Sequence, residues 1–225
     1  MEIGGVKIEY LGHSGFRIKC LGGKMIYIDP YSLLRDACLE KADIVLITHS
    51  HYDHCSIKDI EKIIKFGTII IVPGDAQSKI TKFNDVNMQL IESGDELELG
   101  RIRIEAMPAY NIGKSFHTKK DAFLGYVLKI GSVIIYHSGD TDKIPEMEKL
   151  TGYGKQGNHF LIFLPVSGTY VMNAEEAAEV AKMLNPEIAI PMHYGAGVAG
   201  TIEDAKRFVE LCKERGVHAE ILEKI

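Results

Sequence analysis

The sequence has few cysteines and lacks any paired cysteine motif. Its four cysteines, Cys20, Cys38, Cys55 and Cys212, are widely separated, and no two of them form a CxxC pair. This scatter argues against a disulfide framework and against a cysteine-rich zinc knuckle. We therefore expect reduced cysteines without a special role. Cys55 is a partial exception, because it directly follows a histidine-rich segment.

Long apolar runs and basic clusters are also missing. No stretch approaches the roughly 18 consecutive apolar residues that indicate a membrane span, and residues 1–16 lack the features of a secretory signal. The 26 Lys and Arg residues are outnumbered by 31 Asp and Glu residues. We therefore expect a cytoplasmic protein that binds a small molecule, and neither nucleic acid nor a membrane as a partner. The sequence leaves the oligomeric state open.

The chain does contain enough apolar material for one large core. It has 225 residues, of which 46% are hydrophobic and 25% charged. No linker, low-complexity tract or internal repeat divides it. We predict a single domain over residues 1–225.

Strand and helix patterns alternate in the first half of the chain. Short strands separated by glycine-rich turns are predicted up to residue 29. The fully apolar run at 43–49 is typical of a strand buried on both faces. It is followed by isoleucines at helical spacing between Ile57 and Ile64, so the unit is strand, loop and helix.

The second half repeats this organisation. A second cycle starts with a strand at 68–72, and two groups of strands are predicted at 96–108 and 123–139, followed by alternating strands and helices. One helix opens at Asn173, and the last helix ends at Gly216. Two similar halves of this kind favour an α/β fold in which two β-sheets pack together with helices outside.

Four potential metal ligands lie within six residues, directly after the apolar run at 43–49. They are His49, His51, Asp53 and His54. Neutral imidazoles and a carboxylate suit zinc and neighbouring first-row metals. A lone histidine is more often an ordinary partly buried side chain. Four ligands at H-x-H-x-D-H spacing, by contrast, indicate a metal site.

The H-x-H-x-D-H box resembles the signature of the metallo-β-lactamase superfamily, and further residues extend the resemblance over nearly the whole chain. Asp29 resembles the family's early acidic residue, which supports the metal loop by hydrogen bonding. Asp140 resembles the carboxylate that bridges two metals, and His193 resembles the final histidine ligand. The resemblance implies a metallo-β-lactamase-type αββα sandwich.

The resemblance breaks at one position. Many relatives carry a further histidine at the end of a middle strand, where this chain has Asn111. His117 is a candidate replacement, and Asn111 or a water is the alternative. A neutral amide oxygen is a poor partner for a borderline-soft metal, which favours His117.

The resemblance also implies the cofactors. They are two divalent ions, most commonly Zn²⁺, with Mn²⁺, Fe²⁺, Co²⁺ or Ni²⁺ as alternatives. The implied ligands are His49, His51 and His117 for one ion, Asp53, His54 and His193 for the other, and Asp140 joining them. Two ions about 3.5–4 Å apart can turn a bridging water into a hydroxide nucleophile at neutral pH, so the resemblance implies a dinuclear hydrolase.

Several residues are candidates for supporting roles. Asp53 would also orient the hydroxide and accept its proton, by analogy with the family. Tyr194 could contact an oxyanion or leaving group, or it could simply pack. His13 and His137 either orient a metal ligand or are ordinary hydrogen-bonded histidines. The turn at 168–170 is a weak candidate for the pocket lining.

Within the superfamily, the GHSGF opening and PMHYG ending look most similar to the branch that includes L-ascorbate-6-phosphate lactonase. This similarity implies hydrolysis of an ester, lactone or phosphoester bond in a small molecule, including an anionic one. Lys114, Lys119 and Lys120 could attract such an anion, although a solvated charged loop is the better explanation for them.

Two alternatives remain on the same fold. A di-iron oxidoreductase is one, although such relatives replace one motif histidine with glutamate and usually carry a flavin domain, whereas position 51 is histidine here. A non-catalytic metal-binding module is the other, although a closed structural zinc site needs only four ligands. A secreted β-lactamase and an RNA-processing nuclease are disfavoured by the missing signal, the length and the charge.

Overall fold

Two β-sheets form the framework in a computed structural model that describes residues 1–33, 39–155 and 157–225. Neighbouring strands follow the order of the chain in both sheets. The first sheet contains β1 (Glu2–Ile3), β2 (Val6–Gly12), β3 (Gly15–Lys19), β4 (Met25–Ile28), β5 (Ile44–Leu46), β6 (Thr68–Val72) and β7 (Val86–Leu90). The second sheet contains β8 (Glu96–Leu99), β9 (Ile102–Ala109), β10 (Phe123–Ile130), β11 (Val133–His137), β12 (His159–Pro165) and β13 (Ile188–Met192).

Three α-helices of the described chain connect the later strands of the two sheets, and a fourth follows the last strand. They are α1 (Ile57–Ile63), α2 (Gln77–Ile80), α3 (Ala174–Leu184) and α4 (Ile202–Glu214). In the part of the chain that is described, no helix is both long and apolar enough to cross a membrane.

Each sheet begins antiparallel and continues parallel. The pairs from β1 to β4 and from β8 to β11 are antiparallel, whereas those from β4 to β7 and from β11 to β13 are parallel. This similarity between the two halves confirms the predicted α/β sandwich. Because parallel strands end at the same edge of a sheet, residues that follow them are brought together.

The inner strands are buried on both faces, as the apolar run at 43–49 predicted. In β4, Ile26 and Ile28 belong to the core between the sheets, whereas Met25 and Tyr27 belong to a second core under α1. Alternate side chains of a strand point to opposite faces, which explains this division. The central core includes Phe16 of β3, which stacks on a phenylalanine of β12 at 4.1 Å.

The predicted start of α3 is confirmed, whereas α1 and α4 end earlier than the sequence predicts. Asn173 caps α3, because its Oδ1 accepts a hydrogen bond from the Glu176 backbone at 2.8 Å. The first helix ends before Ile64, whose backbone is extended. The last helix ends at Glu214, before the predicted terminus at Gly216.

The described cysteines have no disulfide partner. Cys20, Cys55 and Cys212 are buried and free, as expected, whereas Cys38 lies outside the described residues. Burial raises the pKa of the Cys55 thiol to about 12. It therefore remains a neutral thiol despite its place beside the histidine-rich segment.

Candidate metal centre

The candidate ligands lie at the carboxyl ends of strands from both sheets. The H-x-H-x-D-H segment follows β5, Asp140 follows β11, and His193 follows β13. A tight backbone turn shapes the segment, because the Cys55 amide donates to the carbonyl oxygen of His51 at 2.7 Å. This turn directs alternate side chains toward one point.

Asp29 supports the segment by hydrogen bonds, as the resemblance implied. Its Oδ1 accepts from the Thr48 amide at 2.8 Å, and its Oδ2 accepts from the Thr48 hydroxyl at 2.5 Å. The same Oδ2 accepts from Nδ1 of His54 at 2.7 Å. Since the Thr48 proton is used on Asp29, Nδ1 of His49 donates to Thr48 Oγ1 at 3.0 Å. These bonds leave Nε2 of both histidines facing the centre.

One group of ligands contains His49, His51 and His117. Nε2 of His49 lies 3.0 Å from Nδ1 of His51, which lies 3.2 Å from Nε2 of His117. The Nδ1–H of His117 donates to the carbonyl oxygen of Tyr170 at 2.9 Å, because a carbonyl can only accept. This bond fixes the tautomer that presents Nε2 to the other two histidines.

Asn111 holds the loop that carries His117. Its Nδ2 donates to the carbonyl oxygens of Phe116 at 2.9 Å and Tyr170 at 2.6 Å. Its backbone amide donates to the carbonyl oxygen of His117 at 2.7 Å. The structure therefore brings His117 into the first group, and it uses the Asn111 amide to fasten the loop.

Asp140 lies between the two groups. Its Oδ2 is 3.2 Å from Nε2 of His193, 3.3 Å from Nε2 of His54 and 3.6 Å from Nε2 of His117. Gly139 makes this position possible, because its φ of +64° is left-handed and a Cβ there would collide with a backbone carbonyl. The carboxylate can therefore face both groups at once.

The second group contains Asp53, His54 and His193, together with His13. One ligand atom from each of these four residues lies within 4.8 Å of the others. Nε2 of His13 is 2.8 Å from Oδ2 of Asp53. Nδ1 of His193 is 2.9 Å from the Ser167 hydroxyl, so its Nε2 faces the centre.

Charge and burial set the protonation of the central residues. Burial would raise the pKa of Asp140, but His193 and His54 outweigh it and hold that pKa well below its ordinary value. Burial, aided by His54, lowers the pKa of His49 well below its ordinary value. Burial also disfavours the charged form of His54, but Asp140 and Asp29 outweigh it and raise its pKa. Asp140 therefore remains ionised at neutral pH, and its charge favours a cation beside it.

Asp53 and His13 form a similar pair. Burial raises the pKa of Asp53, but the hydrogen bond from His13 and the charge of His54 lower it to about 2. Burial, partly opposed by Asp53, lowers the pKa of His13 to about 4. At neutral pH the pair is a carboxylate and a neutral imidazole.

Two buried polar atoms show that the residues fit a metal ion. Nε2 of His54 and Oδ1 of Asp140 have no hydrogen-bond partner, although buried polar groups are almost always paired. Each belongs to a set of imidazole nitrogens and carboxylate oxygens whose atoms face one another. Such a set suits a first-row metal cation, which would replace the proton on His54.

A cavity of about 290 Å³ opens onto this centre. The residues that line it are His51, Tyr52, Asp53, Phe116, His117, Asp140, Tyr170, His193, Gly197 and Val198. Tyr170 belongs to the turn at 168–170 that the sequence offers as a candidate for the lining, whereas Tyr52 and Phe116 are not among the residues predicted from the sequence. A tyrosine inside the ligand motif and a phenylalanine before a ligand histidine were the available signals.

Other candidate residues lie outside this lining. Tyr194 is 6% exposed, and its ring stacks on Tyr10 at 5.8 Å in the core. His137 is a buried hydrogen-bonded histidine, because its Nε2 donates to the carbonyl oxygen of Ser14 at 2.9 Å. His13, by contrast, contacts a candidate ligand directly.

The lysines near His117 are paired with acidic residues. Lys114 Nζ lies 2.5 Å from Oδ1 of Asp142, and Lys119 Nζ lies 2.9 Å from Oε1 of Glu146. Neither lysine lines the cavity, and nor does Lys120. The charges of Lys114 and Lys119 are therefore compensated by carboxylates outside the cavity, which does not support a role for them in attracting an anion.

Comparison with known proteins identifies the family. Residues 7–193 match the β-lactamase superfamily domain. A UPF0173 metal-dependent hydrolase from Thermococcus onnurineus is 32% identical over 91% of this chain and 92% of its own length. The chain belongs to the UPF0173 family of the metallo-β-lactamase superfamily.

Solved structures show how widely the UPF0173 fold is shared. The crystal structure of a protein described as a metal-dependent hydrolase, from Parabacteroides distasonis, matches with a TM-score of 0.82 and 31% identity. The match covers 97% of this chain and 93% of that one. CmlA, a diiron β-hydroxylase from Streptomyces venezuelae, has a TM-score of 0.71 at 16% identity, covering 96% and 52%. The second likeness concerns the fold alone, and a shared fold does not imply a shared reaction.

Proposed function

We propose that this UPF0173 protein is a dinuclear metal-dependent hydrolase that cleaves an ester, lactone or phosphoester bond in a small molecule. The supporting observation is the convergence of imidazole and carboxylate groups from both sheets on one cavity. The size of the cavity suits a small molecule. Similarity to the lactonase-like branch remains a prediction.

The proposed ligands follow the two groups in the structure. They are His49, His51 and His117 for one ion, Asp53, His54 and His193 for the other, and Asp140 for both. Zn²⁺ is the first choice, with Mn²⁺, Fe²⁺, Co²⁺ or Ni²⁺ as alternatives, because imidazole and carboxylate ligands accept all of them. When bound, such ions acidify water and polarise the oxygen of the bond to be cleaved.

Side chains around the cavity would supply orientation. Asp53 lines the cavity as an ionised carboxylate, so it can accept a hydrogen bond from the attacking water and point it at the substrate. By analogy with the family, Asp53 would also accept the proton of that water. Tyr194 has no part in this proposal, because it packs in the core and does not line the cavity.

Elemental analysis of the purified protein, with turnover on aryl esters, lactones and phosphodiesters, tests this function. We expect about two first-row metal ions per chain, as in two-metal sites. Asp140→Asn preserves the side-chain volume and should reduce both the metal content and the turnover. Circular dichroism checks that the variant folds. A folded wild-type protein without metal, or one that holds iron without hydrolytic turnover, would contradict the proposal.

A further inference from the structure

The mouth of the cavity is aromatic. Tyr52 is 62% exposed and Phe116 is 49% exposed, and both line the cavity with Tyr170. The Phe116 ring meets the Tyr170 ring edge to face, with 5.0 Å between their centroids. Large exposed apolar side chains that surround a pocket are typical of ligand-binding surfaces.

Hydrogen bonds from side chains to backbone carbonyls hold the Phe116 and Tyr170 side of this mouth in place. Asn111 donates to the carbonyl oxygens of both Phe116 and Tyr170, which joins the two loops that carry the rings. Tyr170 also accepts from His117, so the aromatic mouth and a candidate ligand share one anchor. The backbones that carry the Phe116 and Tyr170 rings are therefore fixed before any substrate enters, which reduces the entropy lost on binding.

The mouth offers no cationic side chain to the non-reacting part of a substrate. Among the described residues, those that line the cavity include no lysine or arginine. Lys114 is held by Asp142 and by the carbonyl oxygen of Val171, at 2.5 and 2.7 Å. A negatively charged group at the mouth would therefore find no cationic side chain to pair with among those residues.

We propose that the cavity binds a compact, uncharged substrate whose apolar, preferably aromatic, group packs against Phe116, Tyr52 and Tyr170. The bond to be cleaved would then face the ligand groups at the inner end, where Asp53 and Asp140 lie. This inference rests on the proposed function and narrows it from any small ester, lactone or phosphoester to an uncharged aryl or arylalkyl ester or lactone.

Binding of matched amides tests the preference separately from catalysis. The probes are 2-phenylacetamide, acetamide without the ring, and 2-(4-sulfophenyl)acetamide, in which only a charge at the mouth is added. NMR titration of the metal-loaded protein should show 2-phenylacetamide binding about 10-fold more tightly than either other probe. Phe116→Ala should weaken its binding by about 3- to 10-fold, the range expected for lost aromatic contacts. Acetamide binding should not change.

Two further variants complete the comparison. Tyr52→Ala should have a similar effect, because its exposed ring contributes to the mouth without supporting the core. Phe66→Ala is the control, since Phe66 is 88% exposed and does not line the cavity. Equal affinity for the charged and uncharged ring probes, or no effect of Phe116→Ala, would overturn the preference.

Turnover of methyl phenylacetate and methyl acetate, followed by acid release in the same samples, separates the two hypotheses, because these two esters differ only in the ring. Ring-dependent binding without turnover of either ester would overturn ester hydrolysis and leave the binding preference standing. Equal turnover rates for the two esters, unchanged in Phe116→Ala, would overturn the aromatic preference and leave the proposed hydrolase activity standing. Faster turnover of methyl phenylacetate than of methyl acetate, with the difference lost in Phe116→Ala, would support both the hydrolase and the aromatic preference.

Discussion

Nε2 of His13 lies 2.8 Å from Oδ2 of Asp53, and this contact joins two segments of the metal centre that are 40 residues apart in the sequence. The carbonyl oxygen of His13 accepts from the His193 amide at 2.7 Å and from the Tyr10 hydroxyl at 2.9 Å. His13 therefore contacts a candidate ligand from each sheet, one through its side chain and one through its backbone. Its backbone φ of +56° allows both contacts.

Replacing His13 with alanine should weaken metal binding. The side-chain contact that orients Asp53 is lost, while the backbone bond to His193 is kept. Loss of a partner that orients a metal ligand typically costs about 10- to 100-fold in affinity. Competition with a chelator measures the change. His218→Ala is the matched control, because the His218 side chain is exposed and forms an ion pair with Glu220, away from the candidate ligands. Equal affinities in the two variants would show that Asp53 needs no support.

Asn111→Asp should empty the first ligand group selectively. The substitution removes two donors and places a carboxylate against the carbonyl oxygens of Phe116 and Tyr170, so the loop that carries His117 should detach. We expect the metal content, measured by mass spectrometry under native conditions, to fall by about one ion per chain. His193 and its neighbours do not depend on this loop. Retention of both ions would contradict the role given to Asn111.

Asp29 and His117 show how far the sequence could predict this site. The histidine-rich segment was recognisable because its ligand spacing is local, and Asp29, which directly follows β4, was recognisable by its resemblance to the family's early acidic residue. The choice between His117 and Asn111 depended on the carbonyl oxygen of Tyr170, which no local pattern could place. The contact between His13 and Asp53 likewise joins two separate loops.

The core between the sheets was predictable in composition but not in its contacts. Phe163 is fully buried and stacks on Phe16 across the sandwich at 4.1 Å. Phe163→Ala should lower the free energy of unfolding by about 3–5 kcal/mol, because it removes apolar burial and leaves a cavity. Urea denaturation measures the change, and Phe66→Ala should stay within about 0.5 kcal/mol of the wild type. A loss below about 1 kcal/mol for Phe163→Ala would show that the two sheets repack across the gap.

Gly139→Ala should lower both the free energy of unfolding and the metal content. Gly131→Ala is the control that separates backbone strain from the steric collision of the added Cβ. Both glycines are left-handed, with φ of +64° and +61°, so alanine costs about 1–2 kcal/mol in backbone strain at either position. A Cβ at Gly131 has open space, whereas one at Gly139 collides with the carbonyl oxygen of Leu124. The Gly139 backbone must therefore move, and Asp140 moves with it. We expect a larger loss of unfolding free energy and a lower metal content for Gly139→Ala alone. Equal losses with full metal content in both variants would mean that Asp140 does not depend on this turn.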